Sequence, residues 1–201
     1  MMRNSMRKII SAMRISVDGY IEDPEGRQDW VDSWEDEYDI LDHVDTCVLG
    51  SVMYPGYEEY WTAALDPKRK LPYSGKLPTA KEVEYAEWAS KTPHFVVSRK
   101  PMQVSWKNSR VISDLEEIRN LKQKPGKDIY VVGGAMLVSS MINLGLIDEI
   151  WLMINPVLLG GGKLLFKGVT KRHHLKFVSS EERTPGKVYV KYKVKHDEGI
   201  G

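Results

Sequence analysis

The stretch Ile129-Tyr130-Val131-Val132-Gly133-Gly134-Ala135-Met136 decides the class of fold. Four apolar residues in a row suit a strand buried on both faces, and two glycines then turn the chain into residues 135–144, whose composition is helical. At such a corner the backbone N–H groups are not covered by side chains and stand at the start of a helix, where the macrodipole favours an anion. A phosphate or pyrophosphate is one possible occupant. The other reading is a tight corner that needs glycine only for its backbone angles.

Working outward, residues 147–159 read as a strand. The Gly160-Gly161-Gly162 loop follows, and then two strands over 174–179 and 187–195. The last alternates Val188, Val190, Tyr192 and Val194 with lysines, as a half-buried antiparallel strand requires. Upstream, residues 114–124 place Leu115, Ile118 and Leu121 on one helical face before Pro125-Gly126, and 94–98 form a strand joined to it by a connection or short strand over 104–112. Thr79 with Glu82 completes a capping box for a helix over 80–90, with Val83, Ala86 and Trp88 as its apolar contacts. Residues 54–78, rich in proline, glycine and charge, predict a surface excursion, either a substrate lid or a plain loop. Before it come a short strand over 46–49, a helix over 34–44 and a buried strand over 9–17 that ends at Asp18-Gly19. Helices between the early strands and antiparallel strands at the end imply an α/β sheet, mostly parallel, with an antiparallel edge.

With 201 residues, 42% of them apolar, the chain is the size of one domain, 1–201, with a sizeable core. Lys plus Arg number 29 against 28 for Asp plus Glu, so the net charge of +1 gives no electrostatic reason to expect nucleic acid or acidic lipid as a partner. The apolar runs fall short of the ~20 residues that cross a bilayer. Arg3, Arg7 and Lys8 lead into a strand, not into a secretory leader, so a cytoplasmic protein is expected. The single cysteine, Cys47, lies in an apolar run and is expected in the core.

Other chemistries find little support. Gly133-Gly134 lacks the third glycine of the dinucleotide fingerprint, and Gly162-Lys163 is followed by Leu164 where a phosphate-binding loop needs Ser or Thr. No Gly-x-Ser-x-Gly elbow is present. His173 and His174, adjacent in or just before a strand, are expected to point to opposite faces and not to share a metal ion. The acids Asp32, Glu35, Asp36, Glu37 and Asp39 read as the solvated face of an early helix, or one of them as a proton donor in a cleft.

Three segments in this order resemble the dihydrofolate reductase superfamily, and most closely its RibD C-terminal, riboflavin-biosynthesis reductase branch. They are Met13-Arg14-Ile15-Ser16-Val17-Asp18-Gly19-Tyr20-Ile21, the glycine-pair segment, and Ile147-Asp148-Glu149-Ile150 running through Pro156-Val157-Leu158-Leu159-Gly160-Gly161-Gly162 to Phe166. The resemblance covers nearly the whole chain. It implies a dihydrofolate-reductase-like three-layer sandwich with helices on both faces of the sheet. It also implies a nicotinamide cofactor, NADPH with NADH as the alternative. Val132, Gly133, Gly134, Ala135 and Met136 would approach the pyrophosphate, the Gly133-Gly134 peptide being often cis in the family. The backbones of Arg14 and Ile21 would hold the carboxamide. Gly50, Ser51, Val52 and Met53 match the turn after the second strand, and Ser98 and Arg99 the adenosine contacts, where Arg99 suits a 2′-phosphate.

Dihydrofolate reductases proper carry Gly-Arg-x-Thr at the second turn, where this chain has Gly50-Ser51-Val52-Met53, and their helix-borne carboxylate has no clear counterpart. The expected activity is hydride transfer to a pyrimidine- or pteridine-like small molecule, in the family's default case 5-amino-6-(5-phosphoribosylamino)uracil. Asp18, Glu35 or Asp32 would assist proton delivery. The alternatives are a non-catalytic nucleotide-binding or assembly module and a dihydrofolate reductase. A homodimer is expected, with residues 151–159 either at its interface or in the core.

Overall fold

A computed structural model describes residues 6–196; Arg3 lies outside them. Eight strands form a sheet of order β5 (Ser109–Ile112), β4 (His94–Val97), β3 (Val44–Gly50), β6 (Asp128–Gly133), β1 (Ile9–Ser16), β7 (Glu149–Asn155), β10 (Lys187–Val194) and β9 (Leu175–Arg183). By packing, the chain divides into two compact units, each assembled from separated stretches of sequence.

One unit comprises residues 29–130 with the segment up to Arg7. Its strands β3 (Val44–Gly50), β4 (His94–Val97) and β5 (Ser109–Ile112) are parallel, with Gly50 beside Val97 and Val97 beside Ile112. Cys47, Val48, Leu49 and Val96 have no exposed surface, which is why these strands read as unbroken apolar runs. Burial pushes the Cys47 thiol well up and leaves it inert. The helix expected over 34–44 shrinks to α1 (Ile40–His43), and Asp36 explains the change. Its carboxylate accepts from the Tyr38 and Leu41 amides, local bonds that compete with helix and hold the preceding acids in irregular chain.

The surface excursion expected over 54–78 is overturned for its first half. Residues Tyr54–Ala64 form the helix α2, with Pro55 in its first turn, where a missing N–H costs nothing. Tyr54, Tyr57, Tyr60, Trp61 and Ala64 are buried at helical spacing, so the aromatic periodicity outweighs the proline and glycine. The helix α3 (Ala80–Ala89) has the expected capping box: Thr79 Oγ1 accepts from the Glu82 amide and Glu82 Oε2 from the Thr79 amide. Tyr60 also donates to Glu82, at 2.7 Å. The buried face of α3 is Glu82, Tyr85, Ala86 and Ala89, so Val83 and Trp88 are only half-buried flanks. The helix α4 (Glu116–Lys122) anchors on Ile118.

The second unit comprises residues 8–28 and those from 131 onward. Strand β1 (Ile9–Ser16) pairs in parallel with β7 (Glu149–Asn155), while β10 (Lys187–Val194) runs antiparallel between β7 and β9 (Leu175–Arg183). The short β2 (Tyr20–Glu22) pairs with β8 (Lys163–Leu164). Strand β6 (Asp128–Gly133) crosses from one unit into the other and leads to α5 (Ala135–Asn143). Of the two readings of 151–159, the core reading holds for β7, which is flanked by strands on both sides and has Trp151 buried. The edge is β9, where Leu175, Phe177 and Val178 are exposed. No described helix is long and apolar enough to cross a membrane.

Candidate functional site

The glycine corner lies in the second unit. Val131 and Val132 bury the end of β6, and Gly133 follows at φ 135°, a conformation that side chains rarely adopt. The Gly133–Gly134 peptide is cis. Gly134 caps α5 from an extended conformation and has no side chain to accept from the helix amides. The first bond of the helix is from the Val138 amide to the Gly134 carbonyl at 3.1 Å, so Ala135, Met136 and Leu137 present amides that have no intrahelical acceptor. A Cβ built on Gly134 would meet nothing within 4 Å. The corner is therefore open, and its donors stand at the positive end of a helix dipole. Helix amides so placed favour an anion.

Asp18 closes the turn after β1. Ser16 Oγ donates to it at 2.6 Å, and the Leu159 and Gly160 amides donate to the same carboxylate at 3.2 and 2.8 Å. The Ser16 hydroxyl is the chief cause that holds this carboxyl below its ordinary range, and the two amides add to it. An acid kept ionised in this way ties residues 159–160 to the 16–18 turn and is a poor source of protons at neutral pH. Sequence reasoning missed this fastening because its partners lie 141 and 142 residues away. It also missed Gln28, whose side-chain amide donates to the Ile21 carbonyl at 3.0 Å and so holds one of the backbones expected to meet a carboxamide. Arg14 is almost fully buried within β1.

The other expected ligand contacts belong to the first unit. Because β3 and β4 are parallel and in register, the Gly50–Met53 turn and Ser98-Arg99 leave adjacent strand ends, and the Ser51 amide donates to the Val97 carbonyl at 3.1 Å. Val52 is almost wholly exposed and Arg99 is exposed, whereas Ser98 accepts from the Lys100 amide and donates to the Lys100 carbonyl. Asp32 and Glu35 do not lie on a helix. Glu35 accepts from Thr79 Oγ1 at 3.4 Å and has the Lys81 ammonium at 3.7 Å.

His173 and His174 precede β9, so the alternation of a strand does not govern them, and both line one cavity together with His196. Even so, no described group of three His, Cys, Asp or Glu residues is arranged to hold a metal ion.

Residues 7–189 match the family model of the RibD C-terminal domain. The chain belongs to that family. A Bacillus subtilis protein, the uncharacterized YyaP, is 35% identical over 190 residues, spanning 92% of this chain and 94% of its own. Among solved structures, a putative riboflavin biosynthesis protein from Shewanella sp. PV-4 superposes with a TM-score of 0.67 at 22% identity, covering 94% of this chain and 99% of that one. The Enterococcus faecalis dihydrofolate reductase, solved with NADP(H), superposes at 0.60 with 14% identity, covering 94% and 97%. This RibD C-terminal domain thus has a dihydrofolate-reductase-like fold, as its three sequence segments imply.

Proposed function

We propose that this protein is an NAD(P)H-dependent reductase acting on a pyrimidine- or pteridine-like small molecule, with 5-amino-6-(5-phosphoribosylamino)uracil as the family's default substrate. The open, side-chain-free corner at Gly133-Gly134 carries this reading, because it offers uncapped helix amides in the family where a dinucleotide is expected. The nicotinamide supplies the hydride when bound. The Ala135 and Met136 amides would hold the pyrophosphate, and the Arg14 and Ile21 backbones would orient the ring. Asp18 serves to fix residues 159–160, which leaves Asp32 and Glu35 as the proton donors to test. Cytoplasmic residence and a homodimer, with the exposed apolar residues of β9 as its surface, belong to the same proposal.

The test is titration of the purified chain with NADPH and NADH, read by tryptophan quenching. Substitution Gly134→Leu should weaken binding by about tenfold or more, the equivalent of ~1.4 kcal/mol, while circular dichroism stays unchanged. A folded Gly134→Leu chain with undiminished affinity would exclude the cradle. If NADPH binds in stoichiometric amount but its absorbance never falls with any aminouracil or pterin, the chain is a binding module and not a reductase.

A further inference from the structure

The end of α5 away from the glycine corner opens on a cavity of about 320 Å³ within the same unit. Lys171, Arg172, His173, His174, Lys195 and His196 line it, together with the end of the helix at Asn143, Leu144 and Gly145. The walls are built from segments far apart in sequence. Asn143 fastens the approach to β9, donating to the Gly168 carbonyl at 2.9 Å and accepting from the Thr170 amide at 3.0 Å. The Lys195 amide donates to the His174 carbonyl at 2.8 Å, which joins the end of β10 to that approach. Gly145, at φ 65°, follows the end of the helix, and a Cβ built on it would lie 3.7 Å from His196 Nδ1.

Among the described residues, three cationic side chains and three imidazoles therefore line a wall that contains no carboxylate, in a chain whose net charge is only +1; Asp197 and Glu198, next in sequence after His196, lie outside the described residues. Among the described residues no ion pair engages Lys171, Arg172 or Lys195. Asp148 lies 3.5 Å from His196 Nε2 and is also engaged by the Ile9 amide. A helix C-terminus carries about half a negative charge, which a single cation near it would offset. Among the described lining residues a surplus of positive charge remains, and like charges gathered in one concavity favour a counter-charge. His173, which lines the cavity, has its Nε2 shut off from solvent with no hydrogen-bond partner.

We propose that this cavity is a phosphate-binding site, separate from the glycine corner, that takes inorganic phosphate or the phosphate group of a small phosphomonoester. Arg172 offers a planar pair of donors, the lysines offer point charges, and the backbone fastenings fix the cavity's shape before a ligand arrives.

The test is a titration of the 15N-labelled full chain with inorganic phosphate and, separately, glycerol 3-phosphate, at constant ionic strength against sodium chloride. Saturable shifts are expected at the amides of Leu144, Gly145, His173 and Lys195. The double substitution Lys171→Ala/Arg172→Ala should weaken binding by about tenfold or more. The folded Gly134→Leu chain should bind phosphate at this cavity as the parent does, so the outcome does not depend on the cofactor reading. Tighter binding of glycerol 3-phosphate would assign the site to a phosphorylated metabolite, and tighter binding of inorganic phosphate to the free ion. Shifts that chloride reproduces, or phosphate affinity unchanged in the double variant, would overturn the proposal.

Discussion

The glycine corner of the second unit and the aromatic cluster of the first use opposite means. At Gly134 the chain omits side chains and leaves donors facing open space. Around His94 it packs aromatic rings. The imidazole is wholly buried against Tyr57 and Trp106, with ring centroids 5.5 and 5.3 Å away, and Trp61 stacks on Tyr85 at 4.2 Å. The polar atoms of the cluster are matched among themselves. The Thr92 carbonyl accepts from His94 Nδ1 at 2.7 Å, which leaves Nε2 to accept from the Tyr57 hydroxyl at 3.2 Å; Tyr85 lies 3.3 Å from that hydroxyl and can donate to it. Unmatched donors beside free space suit a ligand, whereas matched donors in a sealed cluster serve packing. A buried histidine among aromatic rings is thus a poor marker of chemistry, and a bare backbone corner is a better one.

Four measurements can break or sharpen this contrast. Removing a buried tryptophan ring of the cluster, Trp61→Ala, should cost about 3–5 kcal/mol in denaturant unfolding; a loss under about 1 kcal/mol would mean the cluster is not a packed core.

Acidification comes next. Burial is the main cause that lowers His94 from its ordinary 6.5 to about 4. Between these values the unfolded chain binds a proton that the folded chain refuses, so stability falls as pH drops from 6.5 toward 4 and levels off below. The loss from this group is about 3 kcal/mol. Unfolding midpoints across that window should slope less in His94→Gln than in the parent, and equal slopes would contradict the burial argument.

Thr79→Ala removes the cap of α3, which carries Tyr85 into the cluster, and should cost about 1 kcal/mol in the same assay. At the open corner the smallest stability change is expected. Gly134 has φ −86°, which alanine accepts, and free space for a methyl group, so Gly134→Ala should alter stability by less than about 0.5 kcal/mol. A larger loss would show that the corner's glycine serves packing after all.

Much of this was legible in the residues. Apolar runs such as 129–132 and 46–49 read as buried strands because both of their faces are covered, and Thr79 with Glu82 reads as a cap because its bonds span three residues. The 54–64 helix was hidden by Pro55 and Gly56, since composition weighs them equally at any position whereas a helix tolerates proline in its first turn. The acids around residue 35 looked helical by spacing, and Asp36 diverted them with bonds to the Tyr38 and Leu41 amides.

For the site the division is similar. Gly133 and Gly134 stand out locally, because an absent side chain is visible in a string of letters. The role of Asp18 is not, because Leu159 and Gly160 reach it from the far side of the chain. Nor could the string show that His173, His174 and His196 line one cavity, which depends on how the end of β10 meets the approach to β9. Backbone preference and burial pattern act over a few residues and are written in order along the chain. Which charges share a space is set by long-range pairing, and only the folded chain decides it.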